Sequence, residues 1–128
     1  MNDAELVEGF LAGTLDAFPH RDHVRVGFLL LDTNGFDGAT RVLSDRIRVM
    51  AAASGDTAKF HVTRTEAWMH LIDSARRTEL TTGGSEAFLE RHPELLRSSL
   101  LDDYYSADVL RSDAARARFI EPDLTPLS

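Results

Sequence analysis

The sequence predicts an all-α, single-domain protein, an irregular or orthogonal bundle of about six helices spanning 1–128. Three observations carry that prediction. Apolar residues recur three and four apart through most of the chain. Capping residues stand where several of these periodic stretches begin, and Gly or Pro stands where they end. The one segment that alternates as a strand would, Val24 to Leu31, has no obvious partner strand elsewhere.

Asn2 followed by Glu5 reads as a capping box, and Leu6, Phe10 and Leu11 then recur at helical spacing. A first helix is expected over 3–16, stopped by Pro19. A second helix starts with Arg21 and Asp22 and is apolar around nearly its whole circumference beyond Val24, which places it in the middle of the bundle. It ends at Asp32-Thr33-Asn34-Gly35, where Asn-Gly is a turn signal and Asp37 can cap a third helix. Phe36, Leu43, Ile47, Met50 and Ala51 make the stripe of that helix, closed by Ser54-Gly55-Asp56.

Thr63 and Glu66 form a second apparent capping box, leading into a fourth helix with Trp68, Leu71, Ile72 and Ala75 on its apolar face and Arg76-Arg77 at its end. Thr81-Thr82-Gly83-Gly84 reads as loop. Ser85 starts a short helix broken at His92-Pro93, and Pro93 fits the first turn of another carrying Leu95, Leu96, Leu100 and Tyr104. Ser106 caps a final helix with Val109, Leu110, Ala114 and Phe119. Pro122 and Pro126 keep the last segment extended, and Leu124 and Leu127 suit a tail that lies back on the body.

Composition narrows function. At 128 residues with no linker, low-complexity tract or solenoid repeat, one domain with a real core is expected. A net charge of −7 repels phosphate backbones, so nucleic acid is a poor partner, and no basic amphipathic segment suggests a membrane surface. The acidic start lacks the basic region of a signal peptide, and no apolar run approaches membrane-spanning length, so a cytoplasmic protein is expected. A homo-oligomer is compatible with all of this. Without cysteine there is no disulfide or thiolate chemistry, and with Lys59 as the only lysine Schiff-base chemistry is nearly excluded. Glycine-rich phosphate loops, nucleophile elbows and dinucleotide fingerprints are also missing from the sequence.

Imidazole and carboxylate chemistry remains. His20 and His23 lie three apart on the approach to the second helix, so both rings can face one object. His61 stands just before the fourth helix and can reach the same interior. Three imidazoles suffice for an open metal site of the catalytic kind, holding a divalent transition metal whose identity among Zn, Fe, Ni, Mn and Cu the sequence does not distinguish. The plainer reading makes one of the first pair a local partner of Asp22 and the other a satisfied core imidazole. Tyr104, Asp103 and Glu66 are the candidate proton donors or assisting groups, against the plainer roles of core packing for Tyr104 and helix capping for Glu66. His70 falls on the polar side of the fourth helix and is expected to be solvated, and His92 is a loop residue. Thr63 and Thr65 are expected to satisfy helix-start amides. Arg116 is expected to tie the tail to the last helix through Glu121 or Asp123.

The blocks His20-x-x-His23, Phe60-His61-x-Thr63-x-Thr65-x-x-Trp68, Tyr104-Tyr105-Ser106 and Glu121-Pro122-Asp123-Leu124-x-Pro126-Leu127, with Ala115-Arg116-x-x-Phe119 before the last, resemble a family of small, largely uncharacterised bacterial proteins. The likeness spans nearly the whole chain. It implies a small-molecule enzyme beside secondary-metabolite pathways in actinobacteria and related bacteria, and that His20, His23 and His61 act together. The leading expectation is a metal-dependent lyase or dehydratase, cyclising or hydrating a small-molecule substrate, with hydrolysis as a further fit. The alternatives are a metal-free isomerase or cyclase using His as acid and base, and a non-catalytic helical module that binds a ligand or partner.

Overall fold

A computed structural model describes residues 1–56, 60–78 and 83–127, and among these the chain forms six α-helices and no strand. Lys59, Thr81 and Thr82 lie outside the described residues. The all-α bundle is the architecture observed.

Helix α1, Asp3–Ala12, starts at the expected capping box: Asn2 accepts from the Glu5 N–H and Glu5 accepts from the Asn2 N–H. It ends four residues earlier than periodicity suggests. Gly13 adopts φ 73°, ψ 28° and its N–H takes up the carbonyls of Gly9 and Phe10, a left-handed cap that turns the chain before Leu15.

Helix α2, His20–Ala53, combines the expected second and third helices. They meet at Gly35, whose φ of 71° is open to glycine and strained for other residues, so the Asn-Gly signal became a kink rather than a loop. The first limb, 20–34, buries Val24, Val26, Leu30 and Leu31; the second, 36–53, buries Ala39, Leu43 and Ala51. Helix α3, Val62–Arg77, crosses α2 against Gly27, where an added Cβ would stand 2.9 Å from Ile72 Cδ1 and 3.2 Å from Met69 Sδ. That close approach places Ala67, Trp68, Met69 and Ile72 in the core.

After α4, Ser85–Arg91, the expected Pro93 helix is instead two 3₁₀ turns, Pro93–Leu96 and Leu100–Asp103. The expected last helix is split into α5, Ala107–Arg111, and α6, Asp113–Ala117, because Ser106 and Ser112 each cap a fresh start. Their side chains accept from the Val109 and Ala115 amides at 3.3 and 3.1 Å.

One buried charge escaped the sequence reading. Arg25, 4% exposed, lies on the limb of α2 expected to be apolar all round. Its guanidinium donates to Ser85 Oγ at 2.8 Å, to the Met1 carbonyl at 3.1 Å and to Asp3 Oδ1 at 3.1 Å, joining α1, α2 and α4. Burial opposes ionisation of Asp3, but hydrogen bonds from the Ser85 hydroxyl and amide and from Arg25 outweigh it and hold the carboxyl below its ordinary range.

The tail lies back on the body, as expected, and the singled-out blocks are what hold it. Thr63 Oγ1 donates to the Arg118 carbonyl at 2.8 Å and accepts from the Ile120 amide at 3.1 Å. Tyr105 donates to the Ile120 carbonyl at 2.7 Å, the Ser106 amide donates to Asp123 at 2.8 Å, and the Leu124 amide donates to the Tyr104 carbonyl at 3.0 Å. Asp123 is thus an acceptor for the chain entering α5.

Candidate functional site

A cavity of about 490 Å³ opens where the α1–α2 connection, both ends of α2 and the first turns of α3 converge. Leu15 and Phe18 come from the connection, Ile47 and Met50 from the end of α2, and Trp68 from α3. These give it apolar walls that include the rings of Phe18 and Trp68, and its size is that of a small-molecule site. The early turn at Gly13 and the stop at Pro19 are what bring Leu15 and Phe18 to it.

His23 lines this cavity, and its Nε2 is buried without a hydrogen-bond partner. Of the buried polar atoms in that condition among the described residues, the others belong to Thr40, Arg46 and Arg76, none of which lines the cavity. The ring stacks on Phe18 at 5.5 Å between centroids, and Phe18 stacks on Phe10 at 4.9 Å. Burial, with a smaller contribution from neighbouring His20, pushes the His23 pKa down to about 4. The imidazole is therefore neutral at pH 7, able to donate or accept one hydrogen bond that the protein itself does not supply.

His61 lines the same cavity but is fully committed. It caps α3: Nδ1 accepts from the Arg64 N–H at 3.1 Å, which fixes the proton on Nε2, and Nε2 donates to the Leu110 carbonyl at 2.8 Å. Burial lowers its pKa, with Arg64 and Arg116 adding to the effect against opposing hydrogen bonds. His20 donates from Nε2 to the Leu95 carbonyl at 2.8 Å and sets its ring edge-on to Trp68, 4.6 Å between centroids.

The expected metal set of His20, His23 and His61 is therefore not assembled. A ligating imidazole must offer a lone pair, and both His61 nitrogens are already spent. Among the described residues no group of three or more His, Asp or Glu is placed to hold a metal ion.

The expected proton donors lie elsewhere. Asp103 is exposed and paired with Arg97 at 2.7 Å. Tyr104 lines a separate cavity of about 380 Å³ with His92, Glu94 and Leu127. Glu66 does not line the His23 cavity; with Glu121 and Asp123 it adds to the burial that pushes Tyr105 up to about 12. The buried tyrosine bonded to a carbonyl, expected of Tyr104, is Tyr105.

Two further expectations change. His61, not Thr63, caps α3, since the Thr63 hydroxyl is drawn to the tail. His70 is not solvated but half-buried between Phe36 and Phe119, at 4.5 and 5.6 Å. The sequence reading missed Phe18, Met50 and Arg64 as cavity residues; only the His-Trp spacing from 61 to 68 hinted that both would face one space.

No family model, curated protein or solved structure matches this chain. No helix among the described residues is long and apolar enough to cross a membrane.

Proposed function

We propose that the protein is a metal-independent small-molecule enzyme of the imidazole acid–base kind, an isomerase or cyclase whose substrate occupies the His23 cavity. The observation that carries this reading is the unpartnered Nε2 of His23 on an imidazole that lines a cavity with Phe18 and Trp68. An unsatisfied buried nitrogen costs about 1–3 kcal/mol, and a bound hydroxyl or carbonyl recovers that cost by supplying the missing hydrogen bond. A partner that accepts from the ring also offsets the burial that disfavours its charged form and raises its proton affinity toward the working pH, where proton exchange is efficient. His61 and His20, each bonded to a carbonyl, hold the wall that surrounds this group.

Trp68 is the only tryptophan and lines the cavity, so its emission reports occupancy. Cyclohexanemethanol should change that emission saturably in chelator-treated protein, and His23→Phe should weaken the effect at least tenfold. With cyclohexanone as a probe in deuterated water, the protein should accelerate exchange of the α-hydrogens and the same variant should abolish the acceleration. Unchanged Trp68 emission with every probe, or exchange that survives His23→Phe, sinks the proposal.

A further inference from the structure

The polar groups around the cavity are not neutral in their preference. Its floor is the first turn of α3, where His61, Arg64 and Thr65 all line the space. That turn holds no acidic residue, so the positive end of the helix dipole is uncompensated there and a basic side chain is added to it. Among the described residues the Arg64 guanidinium forms no ion pair; its backbone amide, not its side chain, is what binds His61. Against these stands Asp16, which enters from the α1–α2 connection. The charged side chains of the lining are thus one cation and one anion, Arg64 and Asp16, and the acid-free start of α3 tips that balance toward an anion.

We infer that the cavity takes a small apolar carboxylate, its charged end received by the Arg64 guanidinium at the start of α3 and its apolar body packed against Phe18, Met50 and Trp68. This rests on the reading of the cavity as a small-molecule site and adds the charge class of what enters it. Arginine suits the role because its planar fork meets both oxygens of a carboxylate.

Three probes of nearly one shape separate the options: cyclohexanecarboxylate, cyclohexanemethanol and aminomethylcyclohexane, titrated into the full chain at pH 7 in low salt with Trp68 emission and calorimetry as readouts. The carboxylate is expected to bind at least tenfold more tightly than the alcohol and the amine. Its binding should weaken several-fold in about 0.3 M sodium chloride, where the Debye length falls to about 6 Å and an exposed charge is screened. Arg64→Met should erase the carboxylate's advantage while leaving alcohol binding within about twofold; Arg64 is exposed, so the variant should keep the helical circular-dichroism spectrum and melting temperature of the parent. Equal or tighter binding of the alcohol overturns the inference, as does preference for the amine, which would assign the recognition to Asp16. An advantage that survives Arg64→Met also overturns it. If none of the three probes moves Trp68 emission, the cavity itself is no ligand site and the proposed function falls with the inference.

Discussion

Replacing His23 with Phe should flatten the acid limb of the protein's stability curve. The substitution keeps a ring on the face of Phe18 and removes the one imidazole, among the described residues, whose nitrogen is buried and unpartnered. In the unfolded chain the imidazole has its ordinary pKa of 6.5, and in the fold burial and His20 hold it at about 4. Between those values the unfolded state binds more protons than the folded one, so stability rises with pH. The contribution is complete above the unfolded value and is lost as pH falls from 6.5 toward 4. Integrated over that window, the loss is about 2 kcal/mol between pH 7 and pH 5 and about 3 kcal/mol by pH 4. His61 titrates in the same direction, as its pKa is also lowered, and the difference between parent and variant removes that shared part. Urea unfolding followed by Trp68 emission at pH 7, 6, 5 and 4 measures the difference directly. At pH 7 the variant should be at least as stable as the parent to within about 1 kcal/mol, because an apolar ring replaces an unsatisfied polar one. Parallel curves, or a loss above about 2 kcal/mol at pH 7, would show that the nitrogen has a partner and that the reasoning is wrong.

Three other substitutions probe the frame that builds the cavity. Arg25→Met strips the buried partner from Asp3 and Ser85 and should cost about 3–4 kcal/mol in urea unfolding, whereas a surface arginine would cost under about 0.5 kcal/mol. Thr63→Val removes two hydrogen bonds to the tail and should cost about 2 kcal/mol, with faster proteolytic cleavage around 118–127; unchanged cleavage would mean the tail is held without Thr63. Gly27→Val overfills the α2–α3 crossing and should lower stability by about 1–3 kcal/mol, and a neutral outcome in the same assay would place the helices farther apart than described.

Local chemistry was legible in the sequence wherever neighbours decide the structure. The Asn2–Glu5 box, the break at Gly35 and the Ser106 cap each depend on residues within one turn, and each stands where expected. What escaped was set by partners far along the chain. His61 and Thr63 are both competent caps, and the choice falls on His61 because the Thr63 hydroxyl is taken by Arg118 and Ile120, more than fifty residues away. Arg25 is buried on a helix expected to be apolar nearly all round because Asp3 and Ser85, from other helices, pair with it. Of the three imidazoles, His23 and His61 share a cavity. Spacing could not say that two of them would spend nitrogens on the Leu95 and Leu110 carbonyls, which lie far along the chain.

The most direct measurement is a nitrogen–proton correlation spectrum of the imidazoles in chelator-treated, ¹⁵N-labelled protein, recorded alone, with cyclohexanecarboxylate and with zinc. His23 should appear as a neutral ring at pH 6 and should shift on addition of the carboxylate, while His61 keeps the Nε2–H tautomer fixed by Arg64 and Leu110. Zinc should leave all three rings in place. A concerted shift of His20, His23 and His61 with zinc, or a His23 ring indifferent to the carboxylate, would contradict the assignment of this cavity to metal-free chemistry.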